Sequence, residues 1–249
     1  MKVVVIQPHF LPFIGYFDLM NRADIFVYYD TVQFKRRSWH CRTYISQNGI
    51  ATWLSAPVQT ARGSRRAIKE MQWADDQPWR KKMIKRLEHC YAHSKEPEIL
   101  KTIKDLIRSG PSNLCDWNIR VNTILASFLN IKILTIRASE LPLMAGEKQE
   151  RIINLCQALG ATHYICGPGS KSYIRDADFS KFNITLEWVE YNYPYRVPTS
   201  EGIEVIPSVL DLILLKGLNT ALKMIHGHTS SVTLFTNNST TQSGLTCES

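Results

Sequence analysis

The stretch Lys2-Val3-Val4-Val5-Ile6-Gln7-Pro8-His9-Phe10-Leu11-Pro12-Phe13-Ile14-Gly15-Tyr16-Phe17-Asp18-Leu19-Met20, followed by Ile25-Phe26-Val27-Tyr28-Tyr29-Asp30, decides the fold. Lys2–Ile6 is short and mostly β-branched, the mark of a buried strand. Two prolines make Gln7–Phe13 a loop. Gly15–Arg22 reads as a short helix carrying Phe17, Leu19 and Met20, and Ile25–Tyr29 as a second strand. Strand, loop, helix, strand predicts two parallel strands joined by a right-handed crossover.

The same order returns further along. A helix at Asn113–Leu129 leads into a strand at Ile131–Ile136. A helix at Glu147–Leu159 is stopped by Gly160, and a strand at Thr162–Cys166 runs into Gly167-Pro168-Gly169-Ser170. Between the two halves, Arg42–Ile45 and Thr52–Val58 flank an Asn48-Gly49 turn, a hairpin signal. Gln59–Arg66 is a basic loop, and residues 78–108 read as two amphipathic helices separated by Pro97. Their outward faces are expected to hold Arg80, Lys81, Lys82, Lys85 and Arg86. Thr185–Tyr191 suits an edge strand. Ser208-x-x-Asp211 forms a capping box that opens a last helix, Val209–Ile225. The expectation is one α/β domain over residues 1–228, built on a parallel Rossmann-like sheet, with HUP-like as the narrower form. It carries a basic, mostly helical insertion at about 60–108. Residues 229–249, rich in Ser, Thr and Asn, are expected to be a disordered tail.

With 249 residues, 44% of them hydrophobic, the chain can bury a full core. No apolar run approaches the roughly 20 residues that span a bilayer, and the N-terminus lacks a signal-peptide core. A cytoplasmic protein with no stable membrane insertion is expected. The six cysteines form no C-x-x-C pair, which fits reduced thiols. His89 and His93 stand four apart on a helix, but no third ligand stands at a metal-site spacing, so no metal is expected. The net charge of +8 is local. Residues 35–108 hold 17 Lys/Arg against 7 Asp/Glu, and the remainder 13 against 15. A basic face of this kind concentrates anions such as nucleotides or RNA, or is simply a solvated helix surface.

In open α/β sheets, ligands bind beyond the carboxyl ends of the strands. Three loops leave such ends, at 7–16, 30–42 and 167–173. The first is similar to the nucleotide loop of HIGH-type enzymes, in which small residues let a helix N-terminus approach phosphate. Phe13-Ile14-Gly15-Tyr16 lacks both histidines of that motif. Lys35-Arg36-Arg37-Ser38-Trp39 sets three cations beside an aromatic. Arginine forks suit phosphate and Trp can stack a base, unless Trp39 belongs to the core.

The motifs Gln7-Pro8-x-Phe10-Leu11-Pro12-x-x-Gly15-Tyr16-Phe17-Asp18 and Asp30-x-Val32-Gln33-Phe34-x-x-Arg37-Ser38-Trp39-x-x-Arg42 occur in order. So do Gly167-Pro168 with Lys171 and Tyr173, and Ser208-x-x-Asp211-Leu212. Together they resemble the WbqC-like family over roughly residues 2–222. Cys41 stands where that family often has Asn. The resemblance implies bacterial surface-polysaccharide (lipopolysaccharide, O-antigen) biosynthesis. The implied activity is a transferase that N-acylates, or N-glycylates, a nucleotide-linked amino sugar. Its co-substrate would be an activated acyl donor, aminoacyl-tRNA or acyl-CoA, with tRNA reaching the basic residues of 60–108.

Joined to the residues, this reading assigns catalysis to His9 or Asp30 as base and to Lys171 with the backbone of 169–171 as oxyanion or diphosphate holder. Arg37 and Arg42 would hold phosphate, and Trp39 or Tyr16 would stack on base or sugar. Gln7, Gly15, Gln33, Ser38, Gly167, Ser170 and Tyr173 complete the binding set. Two other classes compete: a nucleotidyl or adenylyl transferase using the HIGH-like loop, and a non-catalytic RNA-binding or assembly protein.

Overall fold

The structure, a computed structural model, describes residues 1–60, 65–142, 145–146, 148–227 and 231–235. β1 (Lys2–Ile6), α1 (Ile14–Arg22) and β2 (Ile25–Tyr28) open the chain. A long excursion follows, with β3 (Arg42–Gln47), β4 (Ile50–Ser55), α2 (Trp79–Cys90), α3 (Pro97–Ser109) and α4 (Leu114–Phe128). β5 (Leu134–Arg137), α5 (Lys148–Ala158), β6 (His163–Cys166), α6 (Asp176–Ser180) and β7 (Thr185–Glu190) complete the parallel part. The short strands β8 (Val197–Pro198) and β9 (Glu204–Val205) precede α7 (Val209–Lys216), α8 (Leu218–His226) and β10 (Ser231–Phe235).

The main sheet has the order β10-β7-β6-β1-β2-β5. β1, β2, β5, β6 and β7 are parallel, with Val3 beside Ile25 and Lys2 beside His163. This is an α/β Rossmann-like sheet, as expected. The chain steps outward from β1 through β2 to β5, then returns to β6 and β7 on the other side of β1. The order therefore reverses between β1 and β6. Strand alternation splits the core between the two faces. Val4, Phe26, Tyr28 and Ile165 pack with α1, α4, α7 and α8. Val3, Val5, Val27, Tyr164 and Cys166 pack with Ile152, Leu155 and Phe179 of α5 and α6.

Several expectations give way. The excursion between β2 and β5 holds the helices of the expected insertion at about 60–108 and more. It opens with the β3–β4 hairpin, whose Asn48 and Gly49 both take the left-handed φ of a tight primed turn. Arg80 and Arg86 do not point outward. Arg80 pairs with Asp75 and donates to the Ile107 and Pro111 carbonyls. Arg86 donates to Trp53 O and Thr52 Oγ1, pinning α2 to β4. Only Lys81, Lys82 and Lys85 of that set are exposed.

The last helix is two helices, broken at Gly217, whose φ of +95° suits glycine. Ser208 caps the first by accepting from Leu210 N, but Asp211 does not complete the box. Its buried carboxylate instead accepts from Ser46 N, Tyr91 OH and Tyr195 OH. β7 is not an edge, because β10 pairs with it antiparallel. Ser231–Phe235 is thus a strand inside the expected disordered tail. Val232, Leu234 and Phe235 are good β-formers, and the free side of β7 offers them unpaired backbone groups. Residues 229–230 and 236–249 lie outside the described residues.

Candidate functional site

The carboxyl ends of β1 and β6, where the strand order reverses, form the wall of a cleft of about 890 Å³. Parting loops leave a crevice at such a point. Gln7 and His9 enter it from the loop after β1, and Gln33 and Lys35 from the loop after β2. Gly167, Gly169, Ser170, Ser172 and Tyr173 come from the loop after β6, and Lys148 and Arg151 from the start of α5. Its lining residues include three cations and, among those described, no carboxylate. The electrostatic balance favours an anion.

His9 is held neutral. Burial and then the nearby His40 lower its pKa from 6.5 to about 3. Its ring lies 5.2 Å from that of Tyr16 and 6.2 Å from that of His40. Among the described residues no group hydrogen-bonds to the His9 ring. His40 is buried, and burial and then Lys35 lower its pKa to about 4. Its Nε2 lies 2.7 Å from Gln7 Oε1 and its Nδ1 2.8 Å from Ser38 Oγ. The loops after β1 and β2 are thereby tied side chain to side chain.

Two asparagines that sequence reasoning missed tie them through the backbone. Asn118 Nδ2, fully buried on α4, donates to both Pro8 O and His40 O, at 3.0 and 2.9 Å. Asn122, one turn on, donates to His9 O at 3.2 Å. The signal was present: two amides four residues apart on the face that buries Leu114, Val121 and Leu125. A buried amide needs partners, and loop carbonyls are the usual ones.

The other expected residues are dispersed. Gly15 sits inside the first turn of α1, where an added Cβ would lie 2.4 Å from the Phe13 ring and 2.9 Å from that of Tyr191. It is buried and serves close packing. Tyr16 is wholly buried, with its hydroxyl on Gln7 O. Gly167 is also required by a close approach, since a Cβ would meet Tyr191 Oη at 2.5 Å, whereas Gly169 faces open space. Asp30 is fully buried, and both of its oxygens are engaged, by Ser139 N at 3.0 Å and Ser139 Oγ at 2.7 Å. It does not line the cleft. Lys171 turns away to Glu190, 3.3 Å distant, above the Trp188 ring. Ser170 Oγ and Tyr173 Oη, 3.1 Å apart, remain at the rim.

Arg37 and Arg42 belong to a different hollow of about 720 Å³, with Arg36, Phe34, Cys41 and Trp53. Arg42 lies 3.8 Å over the Trp53 ring, and Trp39 packs against Trp53 from outside. Ser38 lines neither hollow; its Oγ donates to Lys35 O and meets His40 Nδ1. The Cys41 thiol is buried against Ser38 O, and burial raises its pKa. The residues expected in one composite site thus fall in two hollows.

Fold and cleft define a Rossmann-like α/β protein with a crevice at its switch point. The chain belongs to the WbqC-like protein family, whose model matches residues 7–222. It is also similar to the uncharacterized protein Rv1507c of Mycobacterium tuberculosis (strain ATCC 25618 / H37Rv), at 31% identity over 219 residues. That match covers 87% of this chain and 94% of the relative. No solved structure matches it. Among the described residues, no helix is long and apolar enough to cross a membrane.

Proposed function

We propose that this chain is a transferase that N-acylates or N-aminoacylates a nucleotide-linked amino sugar for bacterial surface polysaccharide. The observation that supports it best is the pairing, in one cleft, of an uncharged imidazole with three cations and, among the described residues, no carboxylate. Lys35, Lys148 and Arg151 suit the diphosphate of a nucleotide sugar. His9 then faces the sugar amine. The amine nitrogen attacks the acyl carbonyl, forms the C–N bond, and displaces the carrier oxygen or sulfur. The nitrogen becomes acidic as the bond forms, and His9 takes its proton and passes it to the leaving group. Bound diphosphate raises the His9 pKa by Coulomb attraction and so strengthens it as a base.

The test is incubation of the purified protein with UDP- or dTDP-linked amino sugars and either acetyl-CoA or glycyl-tRNA. The product is read by mass spectrometry. A sugar nucleotide heavier by one acyl group, lost in His9→Ala, is the expected result. Absence of any nucleotide binding in the cleft would end the proposal.

A further inference from the structure

We infer that the hollow under the β3–β4 hairpin is a second nucleotide site, recognising a phosphorylated nucleoside through stacking and arginine contacts. On the reading above it holds the carrier end of the acyl donor, while the switch-point cleft holds the acceptor.

The aromatic half is built on the hairpin. Tyr44 and Trp53 are cross-strand partners and stack with centroids 3.7 Å apart. Trp39 leans on both, 6.1 and 5.5 Å away, yet keeps 46% of its surface exposed. A Trp that is anchored on one side and open on the other is a stacking platform for a base. Of this cluster Trp53 lines the hollow, together with the cationic half, and Trp39 packs on Trp53. Arg36 and Arg37 are exposed and line the hollow. Arg37 has a φ of +53°, unusual for a residue with a side chain. Arg42 Nε is buried and, among the described residues, has no hydrogen-bond partner. A buried donor without an acceptor is uncommon, and a ligand oxygen would satisfy it. No carboxylate is among the described residues lining this hollow. Arg80 and Arg86, by contrast, are fully occupied within the protein.

The two sites lie back to back. Gln7 and His9 line the first and Phe34 lines the second. The His40 ring stands between them, bonded to Gln7 and 5.7 Å from the Phe34 ring. Attack needs the amine and the acyl carbon in contact, so on this reading only the carrier end sits in the second hollow and the acyl arm extends past this layer into the first. Coenzyme A and the 3′ end of an RNA share the needed chemistry, a base with phosphate on its ribose.

The experiment is titration calorimetry on the full chain with two probes, adenosine 3′,5′-bisphosphate and UDP. Arg37→Asn removes the guanidinium and tolerates the positive φ. Trp39→Ala removes the platform, and Trp39→Phe keeps part of it. We expect bisphosphate affinity to fall about tenfold or more in Arg37→Asn and Trp39→Ala, and less in Trp39→Phe. UDP affinity should hold in these variants and fall in Lys35→Ala instead. Saturating UDP should leave bisphosphate binding intact. Competition between the probes, loss of bisphosphate binding only in Lys35→Ala, or no bisphosphate binding at all would overturn the inference. If UDP does not bind but bisphosphate does, the acceptor reading falls and the second site stands. Coenzyme A and a short single-stranded RNA, titrated next, identify the source of the nucleotide. The one whose affinity follows the Trp39 series is the donor's carrier.

Discussion

The loops leaving β1 and β6 and the loop leaving β2 start from the same edge of the sheet but use their polar groups differently. The first pair keeps His9, Ser172 and Tyr173 directed into a cleft. The loop after β2 begins by binding the protein to itself. Asp30 is closed off by Ser139, and His40 is tied to Gln7 and Ser38. Its middle, from Gln33 to Arg37 with Trp39, faces solvent or a hollow. The difference teaches that a polar residue in a strand-end loop is available to a ligand only where the fold has not already satisfied it.

The largest test of that contrast is Asp30→Ala. If Asp30 is structural, its loss leaves Ser139 N and Oγ without their charged acceptor, while Arg137 keeps Asp116, and should cost about 3–5 kcal/mol in urea unfolding. UDP affinity of the folded fraction should not change. A variant of normal stability that no longer binds UDP would return Asp30 to the site.

Asn118→Ala comes next. It orphans the Pro8 and His40 carbonyls and should cost about 2–3 kcal/mol, since each buried unsatisfied group is expensive. UDP binding should also weaken, because the loop bearing Gln7 and His9 loses its anchor. Unchanged stability would show that the two loops hold each other without α4.

Lys35→Ala should weaken UDP binding by about 1.5 kcal/mol, the lower range for a charge-assisted bond, and barely move the thermal midpoint. A change in stability alone would place Lys35 on the structural side of the contrast.

The smallest effect concerns pH. His40 titrates at 6.5 when unfolded and near 4 when folded. Between those values the unfolded state binds the extra proton, so stability falls as pH falls through this window. His9 acts with the same sign down to about 3. Replacing His40 with Gln, which can still bond to Gln7, should make the decline of the thermal midpoint from pH 6.5 to 4 shallower without abolishing it. An unchanged slope would mean that His40 is not held neutral by the fold.

Local pattern determined much of this protein. β-Branched runs, proline loops and amphipathic periodicity placed β1, α1, β2, the Asn48-Gly49 hairpin and α2 to α4, because those features depend on neighbours within a few residues. They also pointed to His9, Gly167 and Tyr173 at strand ends. What only the tertiary structure decided was pairing at long range. The strand order that puts the cleft between β1 and β6 depends on contacts about 160 residues apart in the chain. The occupation of Asp30 by Ser139, of Asp211 by Tyr91 and Tyr195, and of Arg80 and Arg86 by backbone carbonyls cannot be read from spacing. A charge written in sequence looks the same whether it is bonded or free. The fold separates Arg37 from Arg86, and Lys35 from Lys171, by supplying partners to one of each pair and a hollow to the other.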